Sequence, residues 1–345
     1  MNFPKKDNNN NTDNNNNSKY PNLISSDLVE DSYSDYCIDN SFIIIESINK
    51  ILYLIYSTES KSIISFDLIN NKKINEIKNA HKDYISNFKY TFDKINKRDL
   101  IISISPNDRN IKLWNMKNWE CLYNYIELYK DGYLRTACFL NFNDEIFIAT
   151  SHFKQTTNKP IKIFDFKGNK IKEINDSKAN TYLIESYFEE EKTNMYIITA
   201  NRGHIKSYDY INNKTYNKYC DHDSERDHHS LIIYNKDGII KLIDSCEDGN
   251  IRIWNFHSGV QLNKINFNNG CMYGICLWED DLLFIACSNK TIILVDLTTG
   301  KTIKTYYEHK NAVLTVKIIN HPKIGKCLLS QAWLKGSIIK WENSV

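Results

Sequence analysis

Seven times along this chain a β-rich segment ends in an apolar or aromatic residue followed by Asp, Asn or Glu. The pairs are Phe66-Asp67, Trp114-Asn115, Phe164-Asp165, Tyr208-Asp209, Trp254-Asn255, Val295-Asp296 and Trp341-Glu342. Successive pairs stand 41 to 50 residues apart. A recurrence of that length marks one supersecondary unit copied and stacked, and roughly 40–45 residues is the length of a four-stranded propeller blade. Stacked units share a quasi-continuous core. The 345 residues therefore read as one ring, where length alone would suggest two or three domains.

Within each unit the rhythm is strand, turn, strand. In the fifth, apolar runs at 229–235, 239–244, 251–254 and 261–267 are separated by Asp237-Gly238, Asp248-Gly249 and His257-Ser258-Gly259. The sixth repeats the pattern at 272–278, 281–287, 291–297 and 301–307, with Thr299-Gly300 at its last turn. Short runs rich in Ile, Val, Tyr and Phe between such turns follow hairpin grammar. Only 11 Gly serve the whole chain, so Asn and Asp, which tolerate positive φ, are expected to fill the other turns. The fold class is all-β: a seven-bladed propeller of four-stranded antiparallel blades.

The last unit lacks a fourth strand, because only three residues follow Trp341-Glu342. A ring left open there would expose an unpaired edge. A segment within residues 21–38, containing either Leu28-Val29 or residues 36–38, is expected to pair into the seventh blade and close the ring. The propeller is then assigned to residues 21–345. Residues 1–20 form an Asn-rich tail, with eight Asn between positions 8 and 17. Such a tract buries nothing and is expected to be disordered.

Charge is nearly balanced, with 44 Lys+Arg against 42 Asp+Glu, so no global field marks a nucleic-acid or membrane binder. The nine Cys are scattered without zinc-type spacing, which argues against a disulfide framework or a structural metal site. Most lie in apolar strands, where a reduced Cys behaves as a small hydrophobe. A reducing compartment, cytoplasmic or nuclear, is expected. No secretory signal opens the chain, and its most apolar stretch, 42–56, is too short and too interrupted to span a bilayer.

The recurring residues resemble the WD40 repeat family over roughly residues 40–345. That family's repeat carries a His before the first strand, an Asp in the turn before the third and Trp-Asp at its end. Blade two has His81, Asp108 and Trp114, with Ser103 or Ser105 between; blade five has His222 or His228, Asp248 and Trp254. Blade seven keeps His309 and Trp341 but has Lys335 in place of the Asp. Phe66, Phe164 and Tyr208 replace Trp in blades one, three and four, and blade six has Asn289 and Val295. The resemblance implies a structural hydrogen-bond network through His81, Asp108, Trp114, Asp248, Trp254, His309 and Trp341.

It also implies a non-enzymatic scaffold or adaptor, monomeric within a multiprotein complex. Two alternatives carry sequence tests. Substrate receptors of cullin-type ubiquitin ligases often have Arg two residues after the Asp of Trp-Asp; here that position holds Ile69, Lys117, Lys167, Ile211, His257, Thr298 and Ser344. Phosphoinositide-binding propellers carry an Arg-Arg pair, and this chain has none. A G-protein β-subunit would call for N-terminal heptads, which the Asn-rich tail does not offer.

Catalytic constellations are missing: there is no Gly-rich phosphate loop, nucleophile elbow or His-Glu-x-x-His helix. No cofactor is expected. Asp280-Asp281 and Glu189-Glu190-Glu191 read as solvated turn charges. The polar cluster at 221–229 has ligand-type side chains but no scaffold spacing, and reads as a connecting loop with one structural His.

Loops positioned by a rigid scaffold gather function. Tyr84, Tyr133, Arg135, Tyr182 and Tyr273 fall near the starts of first strands. Arg109, Asn201, Arg202 and Trp333 fall at the turns before third strands. Both regions ring the same mouth of a propeller channel. Arg and aromatic side chains are the types enriched in interaction hot spots, and three of the six Arg stand on this rim. The expected ligand of the rim is a short acidic or phosphorylated peptide.

Overall fold

A computed structural model describes residues 20–34, 41–126, 133–153, 160–175, 181–220, 225–267 and 270–343. These residues form seven four-stranded antiparallel sheets. Six are simple meanders, with first strands at Phe42–Glu46, Asn87–Asp93, Tyr133–Phe142, Thr181–Glu189, His228–Lys236 and Met272–Glu279. The seventh takes three strands from the end of the chain, Val313–His321, Gly325–Ala332 and Leu334–Asn343, and its outer strand, Leu23–Ser34, from the beginning. The all-β seven-bladed ring expected from the repeat is the one observed.

The recurring Asp or Asn has a local physical cause. Asp67 Oδ1 accepts the backbone N–H of Ile69 at 2.9 Å and of Asn70 at 3.0 Å. Asn115, Asp165, Asp209, Asn255 and Asp296 each accept a backbone N–H two or three residues onward in the same way. Such side-chain caps fold the turn that sends the chain from the third strand to the fourth. The residue before each cap faces inward: Phe66, Trp114, Phe164, Tyr208, Trp254, Val295 and Trp341 are all buried.

Burial follows position in the blade. In blade one the second and third strands, Leu52–Ser57 and Ile63–Asp67, are buried throughout, while the fourth, Lys72–Ile77, has no buried residue. Inner strands lie between two neighbouring blades, so neither face meets water and both read as apolar. The core is split into seven apolar clusters, each lying at one seam between adjacent blades.

The ring closes through backbone and core together. Leu23–Ser34 pairs antiparallel with Leu334–Asn343, from Leu23 opposite Asn343 to Ser34 opposite Leu334, with two irregularities. Val29 packs with Phe42 and Leu54 of blade one and with Leu329 and Ile338 of blade seven. Leu28-Val29 thus lies in the closing strand, whereas residues 36–38 fall outside the described residues, as does the Asn-rich tract at 8–17. No helix among the described residues is long and apolar enough to cross a membrane.

Candidate interaction surface and the networks that hold it

Three blades carry a buried polar pin. In blade two, Ser103 Oγ lies 2.7 Å from His81 Nε2 and accepts Trp114 Nε1–H at 2.8 Å. Asp108 Oδ2 stands 3.4 Å from His81 Nδ1 without hydrogen-bond alignment, and accepts the backbone N–H of Lys82 at 3.1 Å. Burial is the main force holding the His81 imidazole down to about 4. In blade seven, Ser330 Oγ joins His309 Nε2 and Trp341 Nε1, both at 2.7 Å. Burial likewise holds His309 down to about 4, opposed by the charge of Asp27 on the closing strand.

Blade five is wired differently from the family pattern. His228 Nδ1 lies 2.8 Å from Asp244 Oδ1, and Trp254 Nε1–H donates to Asp244 Oδ2 at 2.6 Å. Asp244 therefore occupies the place that Ser103 and Ser330 hold in the other blades. Asp248, expected to face the His, instead receives the Arg252 guanidinium, at 3.2 Å on Oδ1 and 2.5 Å on Oδ2. The reason is chemical: a guanidinium on the strand that follows offers a forked donor matched to the two oxygens of the Asp248 carboxylate. Residues 221–224, His222 among them, lie outside the described residues.

The expected rim residues divide. Arg135, Tyr182, Tyr273 and Trp333, from blades three, four, six and seven, line one pocket of about 290 Å3. Asp227, His229 and Glu247 of blade five complete its polar lining. Each side chain is set at the end of a strand. Trp333 sits in the turn between the second and third strands of blade seven, fixed by its backbone N–H on Ala312 O at 2.8 Å. Gly274 lets blade six approach blade seven, since a Cβ there would meet Leu314 O at 2.6 Å; Tyr273 and Leu314 can then share the pocket.

Arg135 lies over the Tyr182 ring, its Cζ 5.1 Å from the centroid. Burial, followed by a hydrogen bond to Asp227, pushes the Tyr182 phenol up to about 12. The His229 and Tyr273 rings meet at 5.1 Å. The remaining rim candidates stand apart from this pocket. Tyr84 stacks on Tyr33 at 4.6 Å, Arg109 turns the chain of blade two at φ +52°, and Arg202 Nε donates to Glu225 O at 2.8 Å. Tyr133 opens the first strand of blade three, and its side chain is outside the described residues.

Sequence reasoning missed Asp227, His229 and Glu247. The first two stand inside the polar run read as a mere connector, and the third beside the Asp248-Gly249 turn. Glu189 also departs from expectation. It is buried, with Oε1 3.0 Å from Lys192 Nζ and 3.1 Å from His257 Nε2, because His257 of the next blade folds across its turn. Asp281 pairs with Lys236 of blade five and lines a groove of about 810 Å3 at the opposite end of blades six and seven. That groove is lined by four acidic residues, Glu279, Asp280, Asp281 and Asp296, and by Lys326, which lies over Trp278 at 4.8 Å. Inside the channel, Lys89 of blade two pairs with Glu185 of blade four. No group of His, Cys, Asp and Glu among the described residues has the geometry to hold a metal ion.

No known protein-family profile matches the chain. It is 25% identical over 101 residues to the "U3 small nucleolar RNA-associated protein 21 homolog" of Schizosaccharomyces pombe, a stretch that makes up 29% of this chain and 11% of that protein. The match thus spans about a tenth of the relative's length. Seven blades in this strand order and a closing N-terminal strand make the chain a seven-bladed β-propeller, and its His–Ser–Trp pins are similar to the WD40 repeat pattern.

Proposed function

We propose that this protein is a non-enzymatic scaffold that docks a short segment of a partner protein on the rim built from blades three to seven. The observation that carries the reading is convergence: Arg135, Tyr182, Tyr273 and Trp333 come from four different blades and meet in one concave site. Aromatic and Arg side chains in a central pocket are what energetically dominant contacts are made of. A rigid ring positions them without reorganisation, which lowers the cost of binding. The partial likeness to a small nucleolar RNA-associated protein supports membership of a nuclear assembly over a cytoplasmic one.

The test compares partners captured on the tagged full chain from its own cells with those captured on Trp333→Ala and Tyr273→Ala. Partners lost from both variants, at unchanged melting temperature, support the rim. Partners retained by both move the interface to the blade edges or the opposite mouth and overturn this assignment.

A further inference from the structure

At the end of the ring opposite the rim pocket, blades three and four carry the same local pattern. The first strand of blade three ends at Phe142, and Asp144 and Glu145 follow. That of blade four ends at Glu189, one residue after Phe188, and Glu190 and Glu191 follow. Each blade thus puts a phenylalanine beside an acidic turn. The two rings meet edge to face across the seam, their centroids 6.5 Å apart. Tyr210 of blade four joins them, 5.9 Å from Phe142 and 6.4 Å from Phe147. Phe188 is 41% exposed, and Ile211, next in the chain to Tyr210, is 47% exposed. Single exposed apolar residues need no explanation, whereas apolar side chains gathered at a seam and rimmed by polar groups mark an interaction surface.

The charge at this patch is one-sided. At the two inner turns, 143–145 and 189–193, five carboxylates stand against Lys192 alone. Lys192 answers the buried Glu189, which His257 also contacts. Asp144, Glu145, Glu190 and Glu191 are exposed, and none has an ion-pair partner among the described residues. Burial, then the charge of Glu145, pushes the Tyr210 phenol up. Burial, then Glu189 and Glu191, does the same for Tyr187, so the carboxylates reach the patch from both turns. The outer turns do not reverse the sign: with 165–170, 209–214 and Lys172 included, seven carboxylates stand against five lysines. Lys172 is already engaged, lying 4.4 Å from the Tyr210 ring centroid and donating to Tyr210 O. Lys94 and Lys97, in the inner turn of blade two, mark where the acidic stretch ends on that side.

We propose that the seam of blades three and four docks a basic segment of a partner protein. An apolar residue of that segment (Leu, Ile, Met or Phe) sits on Phe142, Phe188 and Tyr210, and flanking Lys or Arg side chains reach the two acidic turns. The apolar residue takes the exposed rings out of water, at a gain proportional to the area covered. The flanking cations meet carboxylates that the fold leaves unanswered. An acidic or phosphorylated segment brings like charge to Glu145, Glu190 and Glu191. RNA and anionic lipid are disfavoured for the same reason, since their phosphates would face these carboxylates. This surface stands apart from the rim pocket and does not depend on it; with both in use, the ring holds one partner segment at each end.

The experiment selects a bead-displayed library of random peptides on the full chain and on a triple variant, Glu145→Lys with Glu190→Lys and Glu191→Lys. All three side chains are exposed, so the variant should melt with the wild type. The wild-type protein enriches sequences with an apolar residue between Lys or Arg, and the variant does not. A labelled peptide from the enriched set binds the triple variant about tenfold or more weakly, and binds the wild type less tightly as salt is raised. It loses about tenfold when its apolar residue is changed to Ala. Phe188→Ser weakens the same peptide without touching the charges, and keeps the test decisive if the triple variant folds poorly. Enrichment of acidic peptides, no enrichment of basic ones, or binding indifferent to either the triple variant or Phe188→Ser would each overturn the proposal. So would an enriched peptide lost in Trp333→Ala but kept in Phe188→Ser, which puts it on the rim instead. Self-association of the wild-type chain that the triple variant abolishes would give the patch to a second copy and overturn it likewise.

Discussion

His309 Nε2 and Trp341 Nε1 both bond one oxygen, Ser330 Oγ, each at 2.7 Å. The three residues come from the lead-in to the first strand, the second strand and the third strand of blade seven. One hydroxyl therefore ties a loop at the channel end to two neighbouring strands, in an interior where Trp341 is 2% exposed. Ser103 does the same for blade two.

Removing that hydroxyl leaves a buried indole N–H and an imidazole nitrogen unmatched. Ser330→Ala is expected to destabilise the protein by about 1–3 kcal/mol, the range for a stranded buried polar group. Ser103→Ala should lose a similar amount, and the double variant the sum, because the two pins share no partners. Urea denaturation measures all three; an unchanged midpoint for both single variants would refute the pinning role.

Blade five makes the same joint with Asp244, which is fully buried between His228 and Trp254. Asp244→Ala removes both bonds at once, strands the buried Trp254 N–H and His228 nitrogen, and is expected to lose at least about 1–3 kcal/mol, the range for one stranded buried polar group. Asp244→Ser restores the hydroxyl used in blades two and seven and should recover part of the loss. Equal stability of the Ala and Ser variants would show that the polar joint does not matter there.

Ring closure predicts a contrast between two truncations. A chain lacking residues 1–34 loses the outer strand of blade seven and the Val29 contacts of its seam, and exposes Leu334–Asn343 as a bare edge. Its melting temperature should fall by many degrees and its tendency to aggregate should rise. A chain lacking only residues 1–19 keeps that strand and should melt with the intact protein. Identical melting of the two truncations would contradict closure as a source of stability.

Acid should loosen the fold in a defined window. Buried His81 and His309 are held down to about 4, below the ordinary 6.5. As pH falls below about 6.5 the unfolded chain takes up these protons before the folded chain does, so stability drops. The contribution is complete above the ordinary value and is lost progressively toward pH 4. Thermal melts between pH 7 and pH 4.5 should show a falling midpoint, with a shallower fall in His309→Gln. A flat profile over that interval would contradict the buried neutral imidazoles.

Several features were legible from the chain because their causes are local. The Asx caps at Asp67, Asn115, Asp165, Asp209, Asn255 and Asp296 act within two or three residues, so they recur visibly with each blade. The aromatic or aliphatic residue before each cap is fixed by the strand register alone. Four rim residues were legible for a related reason: position within a repeat fixes which end of the blade a side chain occupies. Asp227, His229 and Glu247 were not, because nothing local distinguishes a loop that lines a pocket from one that merely connects blades.

The sequence by itself determined the all-β class and the number of blades, since period and turn chemistry are properties of order along the chain. Tertiary structure decided the register in which Leu23–Ser34 closes blade seven, that Asp244 rather than Asp248 serves His228, and that Arg135, Tyr182, Tyr273 and Trp333 share one pocket while Tyr84 and Arg109 stand elsewhere. Each of those depends on which distant side chains the closed ring brings within hydrogen-bond or van der Waals reach. Strand periodicity carries no information about such pairings until the seams between blades are packed.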